Sequence, residues 1–256
     1  MTSAKGASRI ADVPPDHLAR LNRGEAETRT LAEGLAMSFP TLMAQVDPTL
    51  AEVAAADLPA DVGITQRMAR AGVLLWGRFG REGLAALSAH PSDTVRGWAA
   101  FAIAAAPDWD LPQRLNAVRP LADDAHFGVR EWAWLALRPS LAAQIEPGLT
   151  LLQPWTAEAS AYLRRFASEA TRPRGVWCAH IPALRENPAP ALPLLAALRN
   201  DTSDYVQDSV ANWLNDAAKS RPDWVQSVLS EWRAEGTVAP HLLKRTARSL
   251  KQIPSG

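Results

Sequence analysis

Apolar positions recur along most of the chain at the three- and four-residue intervals of an amphipathic helix. Alternation with a period of two, the pattern typical of strands, is nearly absent. Five prolines divide the first sixty residues, where we predict helices over Leu31–Phe39 and Thr41–Ala56. The hydrophobic pattern therefore predicts an all-α protein.

From His90 onward one pattern recurs in four segments, 91–104, 125–138, 159–172 and 202–215. Each segment starts with small or polar residues, followed by an apolar residue and then Arg or Gln. The apolar positions of successive segments are 34, 34 and 43 residues apart. This is the length of a HEAT or armadillo helix pair. The intervening helices carry leucine faces that only stacking can bury. We predict an α-solenoid of HEAT-like repeats with one concave face.

The domain organisation follows from this pattern. We predict an N-terminal helical segment over residues 1–60 and a repeat array over 61–256, together forming one continuous domain. The longer step adds nine residues between Arg172 and Pro193. Insertions in a solenoid often lie on the binding face. Pro173 and Gly175 end a helix here, so Trp177 is expected to turn toward a cleft.

Charge changes this picture only locally. The chain has 27 basic and 27 acidic residues, which argues against a generally basic protein that coats nucleic acid. Two stretches are nevertheless basic: residues 160–174 and the tail from Thr237. Two interpretations stay open, phosphate binding on one face or simple solvation of helix surfaces.

The cysteine and histidine content disfavours several chemistries. A single cysteine, Cys178, forms no disulfide and favours a reducing, cytoplasmic compartment. The N-terminus lacks the pattern of a secretory signal, and no run approaches the roughly 18 apolar residues of a membrane span. Five scattered histidines without an HExxH motif disfavour a metal site, and no Gly-rich phosphate loop or GxSxG occurs. We expect no cofactor. Cys178 and His180 would not face each other on a helix, which disfavours a thiol nucleophile.

Tryptophans supply the first candidates for a functional role. Trp98, Trp132, Trp134 and Trp213 lie within repeat helices and are interpreted as core residues. Trp177 lies off the regular helical pattern beside two arginines. It either presents its ring to a cation in a cleft or anchors the insertion onto the core.

Three carboxylates stand among apolar neighbours, where an unpaired charge is costly: Glu131, Glu169 and Asp216. Each has a functional and a structural interpretation. The structural partners would be Arg96 or Arg130 for Glu131, Arg165 for Glu169, and an arginine of an adjacent layer for Asp216. We favour the structural interpretation for Glu169 and leave both open for the other two.

Three stretches are similar to a known family: HFGVREWAWLALRP (126–139), LRRFASEATRPRGVWCAHIPAL (163–184) and the region from Leu192 to Val225. They resemble the AlkC branch of the AlkC/AlkD DNA alkylation repair family, whose members are HEAT-like-repeat DNA glycosylases. The resemblance extends over about residues 85–235 and is most specific in the RRFASEATRPRGVW and SVANWLND blocks.

The resemblance implies hydrolysis of the N-glycosidic bond of cationic alkylated bases, namely 3-methyladenine and, in this branch, 3-methylcytosine. A positive charge on the base activates it as a leaving group, so the protein needs an aromatic face for the cation and carboxylates for the oxocarbenium character. The implied catalytic residues are Trp177, Asp216 and Glu131. The implied partner is double-stranded DNA with alkylated bases, bound by a monomer without metal or membrane. The implied DNA-binding residues are those of the arginine-rich block, Arg164, Arg165, Glu169, Arg172 and Arg174. The basic tail adds Lys244 and Arg248 to the predicted DNA-binding set.

The sequence departs from the family pattern at two positions. Trp213 stands where a histidine is expected, and Gln207 stands where the repeat carries arginine, so one DNA contact or interlayer pair is expected to be missing. The chain ends in a basic helix, about 238–252, and is expected to be the short form without an immunoglobulin-like domain. Two alternatives remain, a non-catalytic binder of DNA structure and a HEAT-type protein-interaction scaffold that would not bind DNA at moderate salt.

Overall fold

The computed structural model describes residues 6–175 and 177–250, and only the backbone of 247–250. Every regular element in these ranges is a helix, which confirms the all-α prediction. The chain divides into two compact units, 1–137 and 138–256, and the division falls inside one helix. The predicted division near residue 60 stays a prediction.

The first unit consists of short N-terminal helices followed by longer repeat helices. Their bounds are α1 Pro15–Asn22, α2 Leu31–Ala36, α3 Phe39–Val46, α4 Ala51–Asp57, α5 Ile64–Phe79, α6 Leu84–Ser88, α7 Asp93–Ala105 and α8 Leu111–Ala122. Helix α9, Phe127–Ala143, contains the division between the units. Two 3₁₀ turns, Ile10–Asp12 and Pro48–Leu50, complete the first unit.

The second unit continues the helix-pair pattern, with a short additional helix in the long step. Its helices are α10 Ile145–Leu152, α11 Ala161–Glu169, α12 Pro182–Glu186, α13 Leu192–Leu198, α14 Asp204–Ala218, α15 Pro222–Ala234 and α16 Pro240–Leu250. Two 3₁₀ turns, Gln153–Ala157 and Ala189–Ala191, precede α11 and α13. Within the part of the chain that the structure describes, no helix is both long and apolar enough to cross a membrane.

The four repeat segments each contain a helix, α7, α9, α11 and α14, as predicted. The predicted N-terminal boundaries are wrong. Helix α2 ends at Ala36 because Phe39 and Pro40 start α3, where proline occupies the first turn. The predicted helix over Thr41–Ala56 is broken at Asp47, whose side chain accepts a hydrogen bond from the Thr49 amide and caps a 3₁₀ turn.

Tryptophans and a close helix approach build the core of the first unit. Trp98 is fully buried and meets Phe39 edge to face, with 5.2 Å between ring centroids. Helices α5 and α7 touch at Gly72, where a Cβ atom would lie only 2.5 Å from the Phe101 carbonyl carbon. Any larger residue would push the two helices apart.

The core of the second unit forms around α14. Trp213 is fully buried and donates its indole N–H to the Thr171 carbonyl oxygen at 3.1 Å. Trp155 packs on Phe166 with 5.0 Å between ring centroids. The core interpretation is confirmed for Trp98, Trp134 and Trp213, which are buried, whereas Trp132 is half-buried.

The arginine that recurs in the repeat stabilises the turn in front of its own helix. Arg96, Arg130 and Arg164, here called the turn arginines, donate to main-chain carbonyl oxygens five and six residues earlier. Gln207, at the same position of the last repeat, donates its amide to the Asp201 carbonyl oxygen at 2.7 Å. The substitution therefore keeps part of this turn contact.

Candidate functional site

Trp177 lies on the loop between α11 and α12, here called the Trp177 loop (residues 170–175 and 177–181). Its φ of +67° places it in the left-handed region, and the residue is 64% exposed. A bulky residue in this region costs on the order of 1–3 kcal/mol and persists only when its surroundings fix the backbone. Such strain often accompanies a functional role. The contacts that hold the loop therefore show whether the surrounding structure keeps the Trp177 side chain exposed.

Arg138 holds this loop at both ends. It is only 2% exposed, and its guanidinium donates to the carbonyl oxygens of Ala170 at 3.1 Å, Arg172 at 2.5 Å and Ala179 at 3.0 Å. Burial lowers the pKa of Arg138. The planar guanidinium suits several carbonyl groups at once, which an ammonium could not match. The sequence analysis missed this residue, although an arginine in the apolar run WLALRPSL is a signal that could have found it.

The interior of the loop is tight at Gly175. A Cβ atom there would lie 2.0 Å from Cys178 Sγ and 3.2 Å from Arg138 Cζ. The Ile181 amide donates to the Pro173 carbonyl oxygen at 3.0 Å and closes the loop. Burial raises the pKa of the Cys178 thiol, which keeps it protonated and is consistent with a packing role.

Asp216 lies in the last turn of α14 and is 4% exposed. Arg172 binds its Oδ2 atom through Nε at 2.9 Å and Nη2 at 2.8 Å. Lys219 reaches the other oxygen, Oδ1, at 3.2 Å, and the lysine side chain is 59% exposed. Because Arg138 binds the main chain of Arg172, Asp216 and the Trp177 loop belong to one hydrogen-bonded network.

Glu169 is the buried centre of that network. Arg172 Nη1 lies 2.5 Å from its Oε1, Arg165 Nη2 lies 3.4 Å from Oε2, and the Ser209 hydroxyl donates to Oε2 at 2.7 Å. Burial alone would raise the pKa of Glu169, but Arg165 and Arg172 outweigh it and the pKa is lowered. These contacts agree with the structural interpretation of Glu169. Its predicted DNA contact stays a prediction.

Glu131 lies on α9 in the first unit, whereas Trp177 and Asp216 lie in the second. Its carboxylate accepts a hydrogen bond from the Trp134 indole at 2.9 Å. Arg96, one of the suggested partners, instead binds Asp124 at 2.8 Å and Glu27 at 2.5 Å. A joint role of Glu131 with Trp177 and Asp216 stays a prediction.

The predicted DNA-binding arginines of α11 have defined protein partners. Arg164 binds Asp201 at 2.6 Å in addition to its turn carbonyls, and its pKa is raised by that hydrogen bond. Arg165 lies over the Tyr205 ring, with 4.1 Å from Cζ to the ring centroid. Their predicted DNA contacts stay predictions, and both side chains are about 15% exposed.

The remaining predicted DNA-binding residues are more dispersed. Arg174 donates to the Ser220 hydroxyl at 2.5 Å, which connects the Trp177 loop to the turn between α14 and α15. Lys244 is exposed on α16. The side chain of Arg248 lies outside the described residues. In the described ranges, no group of three His, Cys, Asp or Glu residues could hold a metal ion.

Comparison with known proteins relates this geometry to a family. The model of the family described as DNA alkylation repair enzyme matches residues 110–250. A stretch of 135 residues is 34% identical to the uncharacterized protein YhaZ of Bacillus subtilis (strain 168), which covers 53% of this chain and 37% of YhaZ.

Two solved structures are similar in fold. One is the Pseudomonas fluorescens alkylpurine DNA glycosylase AlkC bound to DNA containing an abasic site analog, with a TM-score of 0.65 and 27% identity over 83% of this chain and 60% of AlkC. The other is AlkD2 from Streptococcus mutans, with a TM-score of 0.61 and 22% identity over 78% of this chain and 97% of AlkD2. These likenesses confirm the helical-repeat fold class. The chain spans 37% of the length of YhaZ and 60% of that of AlkC.

Proposed function

Because the chain belongs to the DNA alkylation repair enzyme family, of the AlkC/AlkD type, we propose that it is a DNA glycosylase for cationic N-alkylated bases. It hydrolyses the N-glycosidic bond of 3-methyladenine, and 3-methylcytosine is the second expected substrate. The observation that carries the proposal is Trp177, an exposed indole in a strained backbone conformation, on a loop whose Arg172 binds the buried carboxylate of Asp216.

The Trp177 indole is suited to a cationic base. Tryptophan has the most favourable π-face for a cation, and the interaction is worth about 0.5–2 kcal/mol depending on desolvation. A neutral base can stack on the indole but gains none of this cation–π energy. Trp177 would therefore favour alkylated over normal bases while DNA is bound.

Asp216 supplies the negative charge for the sugar. As the glycosidic bond breaks, positive charge develops on the deoxyribose ring, and a fixed carboxylate nearby stabilises it. Arg172 holds one oxygen of Asp216 through two contacts, whereas the other is bound by the exposed ammonium of Lys219. Lys219 can move to a DNA phosphate and leave Oδ1 to face the sugar or a water molecule. Glu131 is proposed as the second carboxylate.

The similar AlkC structure supports the same kind of partner. AlkC is named as an alkylpurine DNA glycosylase, and its DNA carries an abasic site analog, which resembles the product of base removal. Double-stranded DNA is thus the proposed partner of this chain. Arg164, Arg165, Arg172, Arg174, Lys244 and Arg248, with Glu169 as an orienting residue, are the proposed DNA-facing set.

Base release from methylated DNA tests the proposal. The protein is incubated with methylated genomic DNA, and released bases are identified by mass spectrometry. We expect 3-methyladenine from the wild type and at least tenfold slower release from Asp216→Asn. Asp223→Asn, an exposed acid on α15, is the matched control and should release base at the wild-type rate. Wild-type rates in Asp216→Asn would remove Asp216 from the proposal, and no release by the wild type would overturn the proposal itself.

One observation favours a second candidate, a non-catalytic binder of DNA structure. Both oxygens of Asp216 are engaged in ion pairs, as expected of a purely structural carboxylate. This alternative predicts binding to DNA with an abasic site analog but no release of any base. Binding and release measured on the same oligonucleotide separate the two candidates.

A further inference from the structure

A surface cavity of about 310 Å³ lies beside the Trp177 loop. It is lined by Pro182, Arg185 and Glu186 of α12, and by Ser220 and Arg221 of the turn between α14 and α15. Helix α12 lies in the lengthened stretch between Arg172 and Pro193. This stretch therefore lines the cavity in addition to carrying Trp177.

Two hydrogen bonds fix the walls of the cavity. Arg221 donates through Nε to the Glu186 carbonyl oxygen at 2.6 Å, and Arg174 donates through Nη2 to the Ser220 hydroxyl at 2.5 Å. Both contacts join the stretch between Arg172 and Pro193 to the turn between α14 and α15. The guanidinium groups are thus placed by the fold before any ligand binds, which lowers the entropic cost of binding.

The charge of these arginines is not compensated. Within the described ranges, Arg174, Arg185 and Arg221 have no carboxylate oxygen within 4.0 Å, whereas the neighbouring Arg164 and Arg172 are both ion-paired. Glu186 lines the cavity, but its carboxylate forms no such ion pair there. The Nε atoms of Arg174 and Arg185 are buried without a hydrogen-bond partner in the described part of the chain.

The lowered pKa of a nearby histidine is consistent with a positive electrostatic potential at the cavity. The pKa of His180 is lowered, first by the protein atoms around it and then by the charges of Arg185 and Arg174. A protein anion that neutralised these arginines would remove the second cause. Since no such group lies within ion-pairing distance of them in the described chain, an external anion fits the site.

We propose that this cavity, lined by Arg185, Ser220 and Arg221 and bordered by Arg174, binds a phosphate group of the DNA backbone. Guanidinium groups match phosphate oxygens through paired N–H donors, and the serine hydroxyl adds another donor. Pro182 follows Trp177 by five residues, so a phosphate held here fixes the DNA strand next to the exposed indole. The identity of the ligand as DNA rests on the proposed function.

The salt dependence of binding to undamaged duplex DNA tests the site without requiring catalysis. Each phosphate contact contributes about 0.9 to the slope of log K against log salt concentration. We expect Arg185→Gln and Arg221→Gln each to flatten the slope by up to this amount. Arg233→Gln, an exposed arginine on α15, removes the same charge elsewhere and should leave the slope unchanged. Equal slopes in all four proteins would overturn the proposal.

Inorganic phosphate tests the cavity directly. In the wild type, phosphate should shift the arginine Nε–H signals of Arg174 and Arg185 in NMR spectra and raise the pKa of His180, because a bound anion stabilises the imidazolium. Arg185→Gln should remove both responses. Phosphate binding with an unchanged DNA slope would assign the cavity to a small phosphate ligand and overturn its DNA role. Absence of base release by the wild type, together with flattened slopes in Arg185→Gln and Arg221→Gln, would overturn the proposed catalysis and leave the phosphate site standing.

Discussion

Two arginine-rich regions of the second unit use the same residue type in opposite ways. At the turn before α11, Arg164 binds two carbonyl oxygens and Asp201, so its charge and donors are used within the protein. Around the Trp177 loop, Arg138 holds the backbone, while Arg174, Arg185 and Arg221 remain without a carboxylate partner in the described ranges. An arginine in a repeat sequence thus stabilises a turn, positions a loop or faces a ligand according to what the fold places opposite it.

This contrast affects which arginines of a basic stretch can be assigned to DNA binding. A compensated guanidinium must lose its carboxylate partner before it can bind a phosphate, which offsets much of the gain. An uncompensated one avoids this cost. The contacts of each arginine therefore indicate its availability to a phosphate better than the number of arginines along the chain does.

The largest effect is expected from Arg138, because its removal takes the donor from three carbonyl oxygens, and the hydrogen bond to that of Ala170 is buried. Arg138→Met should lower the free energy of unfolding by about 3 kcal/mol and release the Trp177 loop. Urea unfolding measures the first effect, and protease cleavage between residues 170 and 181 measures the second. Arg138→Lys keeps the positive charge but not the planar guanidinium with its several donors, so it should lose less stability than Arg138→Met but remain below the wild type. An unaltered cleavage pattern in Arg138→Met would mean that other contacts hold the loop.

The turn arginine Arg96 should affect stability without affecting function. Arg96→Gln removes the ion pairs with Asp124 and Glu27, and we expect a loss of about 2 kcal/mol in the free energy of unfolding. Base release per folded molecule should stay at the wild-type value. Gln207 shows that glutamine can keep one turn contact, so the variant is expected to fold. A drop in release by the folded protein would show that the turn arginines also serve the site.

Trp177 should show the reverse behaviour, with stability and activity moving in opposite directions. Trp177→Gly relieves the left-handed strain and should raise the free energy of unfolding by about 1 kcal/mol. Release of 3-methyladenine should fall at least tenfold, because the π-face is lost. Trp177→Phe keeps an aromatic ring and should retain more activity than Trp177→Leu. Equal release by the phenylalanine and leucine variants would exclude a cation–π contribution.

The smallest effect concerns the pH dependence of the buried network. The pKa of Glu169 is lowered in the folded protein, so its contribution to stability is present above the ordinary value of 4.5. That contribution is lost as the pH falls from this value through the lower folded pKa. Unfolding of the wild type and Glu169→Gln, measured between about pH 3 and 7, should show a steeper acid loss in the wild type. Parallel curves would mean that Glu169 does not set the acid sensitivity.

The sequence by itself determined the helices and their repetition. Apolar spacing located α7, α9, α11 and α14, and the change in step from 34 to 43 residues located the stretch that holds the Trp177 loop. Local chemistry is sufficient for these features, because helix periodicity, proline and glycine act over a few residues. The N-terminal boundaries were less accurate, since Pro40 can end one helix or start the next.

Only the tertiary structure decided what each charged side chain does. Arg96 and Asp124 are 28 residues apart, Arg164 and Asp201 are 37 apart, and Arg172 and Asp216 are 44 apart. Arg138 contacts carbonyl groups 32 to 41 residues away, which no side-chain pattern can indicate. Ion pairs and desolvation depend on distances of a few ångströms between segments that are remote in sequence. The packing of α11, α12 and α14 thus sets which arginines are compensated and which stay available to a phosphate.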